Sequence, residues 1–101
     1  LQVMIRDQFA GAHTLSTAER KAWTAVSFRT TTLELGNLAA EGPLMAGLRD
    51  ISNALALGGG VPVEAAGSIV GGVGVSGAPG PDIDDDCAKK GIEEIQPSLD
   101  F

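Results

Sequence analysis

His13 is the single imidazole of the chain, so nitrogen ligation of a metal, or general-base chemistry near neutral pH, turns on it. It stands beside Thr14, with Arg6 before it and Arg20 after it. A guanidinium grips a carboxylate through paired N–H donors. Either arginine is placed to reach a carboxylate held near the histidine, which itself suits an axial ligand or a base. The plainer reading of His13 is a loop histidine that faces solvent or bonds to backbone. Met4 is a soft ligand by type, but a methionine in an alternating stretch reads as packing.

The other chemistry-bearing stretches are weaker. Gly72-Val-Gly74-Val-Ser-Gly77 matches the G-x-G-x-x-G dinucleotide fingerprint. A working fingerprint joins a strand, a glycine turn and a helix, with a returning strand to follow. Here Pro79 and Pro81 sit where that helix would begin, and only the residues to Phe101 remain for the rest. Val70, Val73 and Val75 make these glycines part of a strand, where glycine marks a bulge or a close backbone approach. Ser76 falls one residue short of the G-x-S-x-G nucleophile elbow. The aspartates Asp82, Asp84, Asp85 and Asp86 lack the glycine and distal glutamate of a calcium loop, and crowd a helix N-terminus, where negative charge is favoured. Cys87 is the lone cysteine, which excludes an internal disulfide and a multi-cysteine zinc site. Its spacing with Ile83, Ala88, Ile92 and Ile95 predicts an inert, buried thiol.

Composition narrows the partners. The net charge is −6 and the seven basic residues are scattered, so the cationic surface that binds phosphate backbones is missing. Four aromatics in 101 residues leave no stacking platform for single-stranded nucleic acid. No apolar run approaches the roughly 20 residues of a membrane span. A chain of this length supports one domain, residues 1–101, with a modest core.

The elements that must position these residues are legible as patterns. Leu1, Val3 and Ile5 alternate with polar neighbours, as in a half-buried strand. Asp7–Thr14 reads as a loop and Ser16-Thr-Ala-Glu19 as a capping box opening a helix. That helix carries Ala18, Ala22, Ala25, Val26 and Arg29 on one stripe. Thr31 or Thr32 caps a second short helix through Glu41, ended by Gly42-Pro43, and Leu44–Asp50 forms one helical turn or irregular structure. Ala54–Leu57 reads as a short strand. Val61–Glu64 and Ser68–Val75 form a hairpin across Ala65-Ala66-Gly67, with Gly67 at positive φ in a bulged turn. Asp82–Ile95 is a final amphipathic helix stopped by Pro97.

Three phrases in order, Arg20-Lys-Ala-Trp-Thr-Ala-Val-Ser-Phe28, Gly58-Gly-Gly-Val-Pro-Val63 and Val70-Gly-Gly-Val-Gly-Val-Ser-Gly-Ala78, followed by Asp84-Asp-Asp-Cys-Ala88, resemble the GlcG/HbpS family of haem-binding proteins, from about Leu1 to Ile95. The resemblance implies an α/β (α+β) fold of profilin-like type. In the complete domain this is an antiparallel sheet of about five strands with helices on its faces, assembled as a homo-oligomer. It also implies haem or a related tetrapyrrole as ligand, with a redox or iron-sensing role in some members. Two features depart from the family: its members carry an N-terminal helix and first strand ahead of the position of Leu1, and the Phe9–Thr14 loop differs. The expectation is an N-terminally incomplete domain, periplasmic or secreted if a signal peptide preceded this segment and cytoplasmic otherwise.

His13 is then the first candidate iron ligand, with Thr14 beside it and Arg6 or Arg20 pairing a propionate. Gly59 and Gly60 are expected where a flat ligand or a neighbouring subunit approaches the backbone. Two other readings stand beside this one: an accessory protein or enzyme of small organic-acid or aromatic catabolism, using the same His13 and Arg6, and a purely structural oligomer.

Overall fold

The computed structural model describes residues 1–42 and 47–99. Within them the chain is a mixed α+β unit of three helices and one two-stranded antiparallel sheet. Helix α1 spans Thr14–Phe28 and α2 spans Thr32–Ala40. A single 3-10 turn at Gly47–Asp50 follows, the helical turn anticipated there, whereas Pro43 and residues 44–46 lie outside the described residues. Strands β1, Gly60–Ala65, and β2, Ser68–Gly74, form the hairpin, and α3 closes the order at Pro81–Leu99.

The hairpin explains the glycines. Side chains alternate across a strand, and here one face is all but bare. Gly60 pairs with Gly74 and Pro62 with Gly72, while Val61 pairs with Val73. The valine face packs on α3: Val61, Val63, Ala88 and Ile92 form the core, with Val73, Val75 and Leu99 against it. The glycine face takes α1. A Cβ on Gly74 would collide with the Ala18 carbonyl oxygen, one on Gly60 with the Lys21 carbonyl oxygen, and one on Gly72 would lie 2.6 Å from Val26 Cγ2. The motif that imitated a dinucleotide site is a seat for a helix backbone.

The turn is tighter than expected. Ala66 and Gly67 alone make it, at φ 52° and 81°, the paired positive values of a type I′ hairpin loop. The irregularity sits inside the ladder instead, between Val63 and Glu64, and Val70 is left 60% exposed.

Two expected strands are not formed. Leu1–Arg6 carries no ladder, and Leu1, Val3 and Ile5 are 81%, 75% and 88% exposed. Alternation needs a hydrogen-bonded neighbour to become a sheet, and no described strand offers one. At Ala54–Leu57 the backbone groups are claimed by side chains. Thr24 Oγ1 accepts from the Leu55 amide at 3.0 Å, Arg20 donates to the Ala54 carbonyl at 2.8 Å, and Thr32 Oγ1 donates to the Leu57 carbonyl at 2.6 Å. The segment is thereby tied to α1 and α2 as a loop.

Helix boundaries also differ. Helix α1 starts at Thr14, with His13 at the N-cap and no capping side chain. Ser16 lies inside the first turn, its hydroxyl donating to the His13 carbonyl at 3.2 Å, so the expected box does not form. The cap that does form is at Thr31, which accepts from the Glu34 amide at 3.2 Å, while the Glu34 carboxylate accepts from Thr30 Oγ1 at 2.9 Å. Helix α3 begins at Pro81, a favoured first position, and runs past Pro97 to Leu99. Leu99 packing on the core offsets the bond that Pro97 forgoes. Its buried face is turned from the expected one: Asp84, Asp85, Ala88 and Ile92 are inside, Ile83 and Ile95 are about half exposed, and Cys87 is exposed.

Candidate functional site

Residues at i, i+4, i+7 and i+8 share one helical face. On α1 these are His13, Thr17, Arg20 and Lys21, and together they form one side of a cleft of about 430 Å³. The opposite side is the segment from Ser76 to Pro81, and Leu55 and Leu57 supply apolar surface. The volume falls in the range of about 300–1,000 Å³ common to small-molecule sites.

His13 is exposed and its ring stands over Gly11, where a Cβ would lie 2.7 Å from Cε1 and 2.8 Å from Nδ1. Its backbone, not its ring, serves the helix start: the His13 carbonyl accepts from the Thr17 amide at 3.1 Å and from Thr17 Oγ1 at 2.8 Å. The imidazole is thus left to the cleft. Arg20 is held by backbone, with Nε donating to the Asn53 carbonyl at 3.3 Å and Nη2 to the Ala54 carbonyl at 2.8 Å. Two of its five N–H donors are spent, and among the described residues it forms no ion pair.

Lys21 and Asp84 line the same cleft as a buried pair; the sequence reading left Lys21 without a role and assigned Asp84 to a helix N-terminus. Lys21 Nζ donates to Asp84 Oδ2 at 3.2 Å and to the Val75 carbonyl at 2.9 Å, and Asp84 Oδ1 accepts from the Ala78 amide at 3.0 Å. The sequence signal was an aspartate cluster that a helix N-terminus explains, and a lysine next to Ala22 of the apolar stripe. Gly59, at φ 129°, lies against this pair: a Cβ there would strike the Val75 carbonyl oxygen and come within 3.0 Å of Lys21 Nζ. Gly59 and Gly60 are both buried, covered by Lys21 and its carbonyl and absent from the cleft lining.

Arg6 and Thr14 fall in a neighbouring cleft of about 210 Å³, and Ser76 lines both. Thr14 is buried and its hydroxyl donates to the Gly11 carbonyl. The structure therefore brings His13 and Arg20 together, sets Arg6 and Thr14 next door, and puts Gly59 and Gly60 under the floor. Farther along α3, Asp85 Oδ2 pairs with Lys89 at 2.8 Å, and Asp85 Oδ1 is buried with no hydrogen-bond partner among the described residues. The Lys89 ammonium titrates above its ordinary value, through the hydrogen bond to Asp85 and, with burial opposing, the negative charge around it. Among the described residues no group of three or more His, Cys, Asp or Glu converges as a metal centre, and no helix is long and apolar enough to cross a membrane.

Solved structures share this fold. A double mutant of Streptomyces reticuli HbpS is 41% identical, with a TM-score of 0.84 over 92% of this chain and 62% of that one. The haem complex of PduOC is 32% identical, with a TM-score of 0.82 over 91% and 67%. The Klebsiella pneumoniae protein ORFY is 27% identical, at 0.84 over 90% and 63%. The chain thus spans less than two thirds of the HbpS chain it matches. None of the curated proteins matches it. The family model described as haem degrading protein, HbpS-like, matches residues 1–93, and the chain belongs to that HbpS-like family.

Proposed function

We propose that the protein binds haem or a related tetrapyrrole in the cleft between α1 and the Ser76–Pro81 segment. The observation that carries this reading is an imidazole and a guanidinium on one helical face, beside a cleft to which Leu55, Leu57, Ala78, Pro79 and Pro81 supply apolar surface. The residues fit the group: the His13 ring is not consumed by capping, and Arg20 has donors to spare and no carboxylate of its own among the described residues. Likeness to the PduOC haem complex supports the choice of ligand. His13 would hold the iron, and Arg20 a propionate. Arg6 would meet a second acidic group where Ser76 joins the two clefts. Bound there, haem would supply redox chemistry tuned by its axial ligand. In the complete domain the sheet would grow to about five profilin-like strands, and the assembly would be a homo-oligomer.

A small organic acid is the second reading, favoured by the same Arg20, without an ion pair among the described residues, in a chain of net charge −6. Haemin titration separates the two. A saturable Soret shift that weakens when the propionates are esterified supports tetrapyrrole binding. A protein that gives no saturable shift, yet is stabilised by benzoate or acetate, moves the small acid ahead.

A further inference from the structure

Lys21 and Asp84 are 1% and 4% exposed, so both charges are withdrawn from water. Such a pair is often no more stabilising than two apolar residues of the same volume, and its value here lies elsewhere. Helices α1 and α3 lie on opposite faces of the hairpin, and the pair bridges them. Its spare valences reach the same short stretch of chain from two sides: Nζ takes the Val75 carbonyl and Oδ1 takes the Ala78 amide. Between these anchors lie Ser76 and Gly77, the latter at φ 121°, outside any strand or helix. This stretch is the wall that faces His13 and Arg20.

We propose that the buried Lys21–Asp84 pair is the positioning device of the cleft, holding the Val75–Ala78 wall at its distance from α1 and thereby setting ligand affinity. For its ligand the inference rests on the haem reading; for the clamp itself it does not. Lys21 and Asp84 also line the cleft, and the positioning role is the part they play through the wall, which the Ala78 amide reads separately from any direct contact with ligand.

The test compares the native protein with Asp84→Asn and with the double variant Lys21→Met/Asp84→Leu, which strands no charge. The double variant should keep its circular dichroism and cooperative melting, yet bind haemin about tenfold or more weakly. Its Ala78 amide should exchange with solvent about a hundredfold faster. Asp84→Asn keeps one acceptor, enough for the Ala78 amide but not for Lys21 as well, and should lose less affinity than the double variant, about threefold. Native affinity in a folded double variant overturns the proposal, as does an Asp84→Asn loss as large as that of the double variant. Should the double variant not fold, Lys21→Met combined with Asp84→Asn takes its place: weaker binding than Asp84→Asn alone supports the clamp, and equal binding overturns it. A native protein without any haemin shift sinks the haem reading instead, and the Ala78 exchange rates then judge the clamp.

Discussion

Gly59 holds φ at 129° with the Val75 carbonyl oxygen and the Lys21 ammonium against its α-carbon. Both constraints exclude a side chain: L-residues rarely adopt that φ, and the atoms in the way are backbone and a buried charge. Gly59→Ala should therefore lower stability by at least about 2 kcal/mol in urea denaturation, from strain and displacement of the ion pair together. Cys87 makes the opposite point. Its helical spacing promised a buried thiol, but the neighbouring aspartates found cations, Asp84 with Lys21 and Asp85 with Lys89. Paired carboxylates took the interior, and the helix turned Cys87 outward. Thiol titration should find Cys87 reacting in the folded protein within about tenfold of its rate in denaturant. Strong native protection would contradict the observed helix rotation.

At the scale of elements, the packing of α1 on the glycine face of the hairpin decides where His13 and Arg20 stand. Gly74→Ala puts a methyl group into the Ala18 carbonyl, and overpacking of this kind costs about 1–3 kcal/mol. Because α1 carries the cleft residues, haemin affinity should fall with stability, as parallel melting and Soret titrations would show. A variant destabilised but binding normally would mean that α1 does not set the cleft. The hairpin, both helices that cover it and the short α2 were legible, because valine alternation, the Thr31 cap and apolar helical periodicity are local signals. Leu1–Arg6 and Ala54–Leu57 were misread for one reason. A strand is defined by what it pairs with, and Thr24, Arg20 and Thr32 captured the second segment's backbone from a distance in sequence. The same non-locality hid Lys21 and Asp84, which meet 63 residues apart. His13 and Arg20 were legible as residues of the right type near one loop. Their separation from Arg6 into two clefts was not.

For the whole molecule, apolar surface and the cleft pull toward two separate tests. Leu1, Val3, Ile5 and Phe9 are each at least 75% exposed, and large apolar surface of this kind marks an association site when it gathers into one patch. Sedimentation velocity should therefore find the protein self-associated at micromolar concentration, with a monomer alone counting against it. The central claim is that the cleft is a tetrapyrrole site with His13 at the iron, and the direct measurement is the absorption spectrum of the haemin complex in the native protein and in His13→Ala. Loss of the imidazole would remove the nitrogen proposed to hold the iron while leaving Arg20 in place, so the account predicts a displaced Soret band and an affinity at least about tenfold lower. A His13→Ala complex with the native band position and native affinity would contradict it.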